Sequence, residues 1–194
     1  MNLNKGSSYI VFFQSYSKFD IWAKLITFFQ RFQEGEYTKF YHSGFAFYNG
    51  KEYVIRECRL TKNGLCLYDL NARIINYNGR IEVYEIDNLG NSSKKILKDF
   101  TENKVKYGIL NAIASITFKS KSKTIQYLDR LINKLSCDKG KSFCSRDTSY
   151  CFRMTNKDTS HQLEIFIKNK GGIDEITPQD LYNYCKHHCK KVYE

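Results

Sequence analysis

The chain predicts an α+β protein, with an antiparallel sheet of about five strands packed against helices. Three observations lead there. The first half carries one helical stripe followed by short alternating segments, the second half switches to helical spacing, and no internal repeat or low-complexity linker separates the two. At 194 residues, with 42% hydrophobic and 15% aromatic content, the chain can bury a core and reads as a single domain over 1–194.

In chain order, Tyr9 to Phe13 is a short apolar strand. Positions 19–32 predict a helix, because Ile21, Leu25, Phe28, Phe29 and Phe32 fall on one stripe and Asp20 stands near its start. Asp20, Lys24, Gln30 and Arg31 interrupt this segment, so it does not read as a membrane span, and with Trp22 it is either core or the wall of an acyl groove. His42 to Tyr48 and Lys51 to Cys58 form a hairpin about Asn49-Gly50. Lys62-Asn63-Gly64 turns into a strand from Leu65 to Leu70, and Arg80 to Ile86 adds another. From Ser93, Ile96, Leu97, Phe100 and then Val105 follow helical spacing, as do Ile125, Leu128, Leu131, Ile132 and Leu135. A helix enters at Cys144 and continues through Met154. Thr177-Pro178-Gln179-Asp180 has the composition of a helix start, and the last helix runs toward His187. Lys139-Gly140-Lys141 and Lys170-Gly171-Gly172 read as loops within the domain.

The polar start of the chain does not resemble a signal peptide, and no segment reads as transmembrane, which suits a cytoplasmic protein, in a host cell or virion if viral. Seven cysteines, an odd number, predict reduced thiols rather than a disulfide framework. The formal charge of +11 and pI near 9.2 favour anionic partners, membrane surfaces included. The lysines are scattered, however, with short clusters such as Lys119 to Lys123, and no signature of specific nucleic-acid binding is present. Nothing in the sequence specifies an oligomeric state.

The hairpin carries the chemistry. A two-residue turn at Asn49-Gly50 sets Tyr48 opposite Lys51, and the same register sets His42 opposite Glu57, with Cβ atoms about 4.5–5.5 Å apart on one face. A carboxylate would then orient an imidazole, which is two thirds of a nucleophilic site. Among the cysteines Cys144 is the best placed nucleophile. It opens a helix, where the macrodipole lowers a thiol's pKa, and an imidazolium would lower it further. Cys151, two turns on, and Cys58, Cys66 and Cys137 read as small buried hydrophobes. Cys185 and Cys189, four apart, could offer two thiolates to zinc with His188 less well aligned. Two fall short of the four ligands of a structural site, so no metal and no cofactor are expected.

Over nearly its full length the chain resembles the circularly permuted NlpC-type papain-like proteins, the YiiX-like group. Gly6 to Phe13 is similar to that group's first strand, Tyr41-His42-Ser43-Gly44-Phe45 to its Ser-His-Val-Gly-Ile strand, and Val54-Ile55-Arg56-Glu57-Cys58 to its Val-Ile-Glu-Ala strand with one extra residue. Gly64-Leu65-Cys66-Leu67 and Ile81 to Ile86 resemble later strands, Lys106-Tyr107-Gly108 partly echoes its Gly-x-x-Tyr-Asp loop, and Thr177 to Leu181 matches Thr-Pro-x-Asp-Leu. Phe143-Cys144-Ser145-Arg146-Asp147 resembles the nucleophile motif Tyr-Cys-Ser-Glu-Leu, with Arg146 in place of the acid; Ser7 or Ser8 replaces an early Asp. The resemblance implies a permuted papain-like fold with Cys144 as nucleophile, His42 as general base and Glu57 as the orienting residue. It implies a thiol hydrolase or acyl transferase acting on amide bonds, such as a cell-wall peptide amidase of a phage or bacterium. Lipid acyl hydrolysis on the same fold, and a non-catalytic viral component that keeps it, are the alternatives.

Overall fold

The computed structural model describes residues 3–17, 20, 21, 23, 24, 26, 27, 39–86, 92–102, 105–108, 141–154, 157–173 and 176–194. Strands β1 (Ser8–Ser15), β2 (His42–Tyr48), β3 (Tyr53–Arg59), β4 (Gly64–Asp69), β5 (Gly79–Ile86) and β8 (Lys190–Tyr193) form one sheet in the order β4, β3, β2, β1, β5, β8. Every neighbouring pair in it is antiparallel. A second, parallel pair joins β6 (Lys106–Tyr107) to β7 (Lys141–Ser142). Among the described residues the helices are α1 (Leu70–Ile75), α2 (Ser92–Glu102), α3 (Cys144–Arg153), α4 (Lys157–Asn169) and α5 (Pro178–His188), and positions 21, 23, 24, 26 and 27 are helical as well. The α+β class and the antiparallel sheet are as expected, but the sheet has six strands rather than about five.

Both faces of the sheet are covered, which is why β1 reads as an unbroken run from Tyr9 to Phe13 rather than an alternation. On one face Ile10, Phe12, Phe45, Phe47, Val54, Tyr84 and Ile86 meet Cys151 and Phe152 of α3, Leu163 and Ile167 of α4, and Leu181, Tyr182 and Cys185 of α5. On the other, Tyr9, Val11, Phe13, Ala46, Ile55, Ile81 and Val83 meet Leu70, with Ile74 beside it, from α1. The Thr177 start of α5 closes as a reciprocal capping box: Thr177 Oγ1 accepts from the Asp180 amide at 3.0 Å, and Asp180 Oδ2 accepts from the Thr177 amide at 3.1 Å.

The hairpin register departs from expectation. Tyr48 pairs with Tyr53, so the loop spans Asn49 to Glu52. A type I′ turn needs positive φ at both central residues and a type II′ turn at the first, and here Gly50 has it (φ 104°) while Asn49 does not. Asn49 instead uses its side chain, Oδ1 accepting from the amides of Lys51 (2.8 Å) and Glu52 (2.9 Å), which widens the turn. Carried down the hairpin, this register sets Glu57 across from Gly44 rather than from His42.

Other expectations shift at element ends. The strand predicted to Leu70 stops at Asp69, whose carboxylate caps α1 through the Ala72 amide at 2.6 Å. Val105 stands beyond α2, and its carbonyl accepts from the Leu65 amide at 3.2 Å. The chain does not close with the helix at His187, because β8 follows α5. Ile21 is 73% exposed, so it leaves the predicted apolar stripe; Trp22, Leu25, Phe28, Phe29 and Phe32 lie outside the described residues. The predicted helix of Ile125 to Leu135, the lysine cluster at 119–123, and Cys137 also lie outside them. No described helix is long and apolar enough to cross a membrane.

A buried ion pair clamps α3 to the sheet. Arg56 of β3 grips Asp147 through Nε to Oδ2 (3.1 Å) and Nη2 to Oδ1 (2.8 Å), and its Nη1 reaches Asp99 of α2 at 2.8 Å. With both side chains almost wholly buried, removing one partner leaves an uncompensated charge. Asp147→Ala is expected to lower the urea unfolding free energy by about 3 kcal/mol, the lower end for a broken buried pair because Asp99 still accepts from Arg56.

Candidate functional site

His42 opens β2 on the face that carries Val11 and Phe13, and Phe13 pairs with it directly from β1. Their rings stand 5.3 Å apart, which fixes the imidazole plane. Glu57 reaches the same imidazole from two positions along the neighbouring strand. His42 Nε2 donates to Glu57 Oε2 at 2.7 Å, with the carboxylate wholly buried. A diagonal pair has Cβ atoms about 7–8 Å apart, so a long side chain has to lean across to close the gap. Gly44 makes that lean possible. A Cβ placed there would stand 2.9 Å from Glu57 Cγ and 2.8 Å from Ile55 Cδ1, space that the glutamate stem now occupies.

The two residues therefore meet as expected, but not through the pairing that the turn implied. The error was an even number of residues. A two-residue slip keeps every side chain on its face, whereas a slip of one would have turned Glu57 away.

Cys144 is the first residue of α3, whose N-cap Phe143 is extended and offers no side-chain hydrogen bond to the helix start. The helix lies over β2 and β3 on the sheet's opposite face and delivers the thiol to the His42 end of β2. There Cys144 Sγ lies 3.9 Å from the carbonyl of Tyr41, the residue before His42. Thr148 Oγ1 donates to the Cys144 carbonyl at 2.8 Å and accepts from Ser43 Oγ at 3.2 Å, tying the first turn of α3 to β2. Burial pushes the Tyr107 hydroxyl of β6 well up, and the nearby Cys144 and Cys58 push it in the same direction.

Electrostatics tie the three groups together. Burial disfavours an imidazolium at His42, but hydrogen bonding and charge interaction with Cys144 and Glu57 outweigh it and raise the pKa to about 9. Burial would likewise raise Glu57, yet His42 and then Arg73 bring it down to about 2. Arg73, from α1, grips Glu57 through Nε to Oε1 at 2.7 Å and Nη2 to Oε2 at 3.2 Å. Sequence reading missed this arginine. Its helix is six residues long, too short for a periodic signal, though Asp69 three residues before the Ala72 amide is the cap that marks its start.

The remaining cysteines separate from the site. Cys151 and Cys185 are buried in the core and their thiols are pushed well up by burial. Cys58 donates to the Ser142 carbonyl at 3.4 Å. In the tail, Cys185 points into the core, and among the described residues no group of three or more His, Cys, Asp or Glu side chains is arranged to hold a metal. Comparisons with protein-family models, with curated proteins and with solved structures found no match to this chain.

Two outcomes follow from this geometry. Gly44→Ala forces Glu57 and Ile55 aside and is expected to cost about 1–3 kcal/mol by overpacking, read by urea unfolding, and to weaken the His42–Glu57 contact. Stability should also depend on pH in two arms. His42 is raised from 6.5 to about 9, so its contribution is complete below pH 6.5 and lost as pH rises through 9; Glu57 is lowered from 4.5 to about 2, so its contribution holds above pH 4.5 and is lost toward 2. Unfolding curves across pH for the wild type and Glu57→Gln check this. The alkaline arm should flatten in the variant.

Proposed function

We propose that this chain is a thiol-dependent hydrolase or acyl transferase of the permuted NlpC-type papain-like kind, acting on amide bonds. The observation that carries the reading is a buried imidazole, bonded to a buried carboxylate at 2.7 Å, beside a cysteine that opens a helix. Because Glu57 occupies Nε2, the free ring nitrogen Nδ1 is the one available to the thiol.

In the forward step Nδ1 of His42 takes the Cys144 proton, Sγ bonds to the amide carbonyl carbon, and the C–N bond breaks as the imidazolium returns its proton to the leaving amine. Water then attacks the thioester with His42 again as base, releasing the acid and the thiol; an amine or alcohol in place of water gives transfer. Glu57 holds the tautomer and stabilises the imidazolium without taking the proton. Backbone N–H groups at the Cys144 end of α3, where the N-cap Phe143 offers no side-chain acceptor, are the donors for the oxyanion. The motif order His42, Glu57, Cys144 supports the same assignment, since it is the order the resemblance implies.

The test uses brief exposure to iodoacetamide at neutral pH followed by peptide mapping. Cys144 is expected to react at least about tenfold faster than the partly exposed Cys66, and the preference to disappear in His42→Ala. Equal reactivity of Cys144 and Cys66 would overturn the reading. Against cell-wall peptides, Cys144→Ala should lower turnover by about 10³-fold or more; release of fatty acid from phospholipid with no amide cleavage would overturn the amide assignment.

A further inference from the structure

We propose that Arg73 is a positioning residue of this site: its guanidinium fork sets the Glu57 carboxylate in the one orientation that leaves an Oε2 lone pair for His42 Nε2, and thereby aims Nδ1 at Cys144. The inference rests on the reading of Cys144, His42 and Glu57 as a thiol site.

A carboxylate on a flexible three-bond stem does not choose its own plane. At Glu57 the plane is chosen by two parallel N–H···O bonds from Arg73, one to each oxygen. Those bonds leave Oε2 free to accept from His42 along its other lone pair. Arg73 is itself held. Its guanidinium lies 4.6 Å from the Phe13 ring centroid and 5.1 Å from that of Tyr77, and Tyr77 is steadied by a 3.2 Å hydroxyl contact with Tyr41. Phe13 therefore touches both the arginine and the imidazole that the glutamate joins. The backbone below is pinned by the Asp69 cap and by buried Leu70.

The other charged and titratable groups around the pair do not duplicate this role. Arg59, on the same strand as Glu57, approaches Oε2 at 3.9 Å, beyond hydrogen-bond range, and reaches instead toward the Tyr68 hydroxyl. Cys66 faces Glu57 from β4 and presents no second cation. His42 is met by Cys144 from α3, by Tyr41 before it and by Phe13 across from it. Arg73 also supplies positive charge that, with His42, lets Glu57 stay ionised while wholly buried.

The experiment compares the wild-type chain, Arg73→Lys and Arg73→Gln by two readouts. One is the low-field NMR signal of the His42 Nε2 proton, which reports the imidazole–carboxylate bond; the other is the alkylation rate of Cys144. Arg73→Gln is expected to lose or displace the His42 signal and to slow alkylation at least about tenfold, the scale of a misplaced reacting group. Arg73→Lys, which keeps the charge without the fork, should fall between. A folded Arg73→Gln with signal and rate both within twofold of wild type would overturn the proposal. If Arg73→Gln does not fold, Arg73→Lys decides: matching wild type in both readouts would overturn it equally. Slow alkylation of Cys144 in the wild type would sink the thiol reading instead, and the His42 signal would still judge Arg73 by itself.

Discussion

Two adjacent residues of β3, Arg56 and Glu57, are buried charges that point to opposite faces of the sheet, and the rest of the site hangs on that alternation. Successive side chains of a strand must diverge, so one residue turns toward α3 and the other toward His42. Arg56 grips Asp147, one turn into the helix that begins with Cys144, while Glu57 grips His42. A single strand thus fixes both the helix that carries the sulfur and the ring that would serve it. Their relative position is set by covalent geometry rather than by a long chain of weak contacts.

Burying such groups has a cost, and the arrangement meets it by pairing each one. Arg56 is shared between Asp147 and Asp99, and Glu57 between Arg73 and His42. An ion pair in this setting adds little net stability over apolar packing, but a half-pair is strongly unfavourable. The charged residues therefore select one geometry for the hairpin, α1 and α3, because each alternative leaves a charge unmatched.

Much of this was legible in the sequence, and what was not has physical causes. The capping box at Thr177 and Asp180 is written in adjacent side chains whose partners are their own backbone, so no tertiary knowledge is needed to read it. The meeting of His42 and Glu57 was also legible, though the register was two residues off, since parity alone decides the face. The exact turn was not, because Asn49 chose a side-chain acceptor role over positive φ, a choice between two local conformations that the sequence permits equally. Arg73 and the clamp between Arg56 and Asp147 were illegible for another reason. Each pairs residues distant along the chain, 16 and 91 positions apart, and no local period marks them. The helix α4 and the strand β8 were missed as well. Leu163 and Ile167 give α4 one short apolar stripe, and β8 opens with two lysines that read as surface.

Those lysines have an effect beyond their own strand. β8 ends the sheet's order among the described residues, and an end strand is where another chain would add a strand. Lys190 and Lys191 are exposed there, and the pairing of β8 with β5 is interrupted by an irregularity at Val83 and Tyr84 that kinks the ladder. Lys190 pairs with Glu85 at 3.8 Å and Lys191 with Glu82 at 3.2 Å and with Glu194, so a strand added at this distorted margin has to disturb ion pairs as well as find a register. A chain this rich in aromatic and aliphatic strands thereby gains a guard against fibril-like growth at its terminal border.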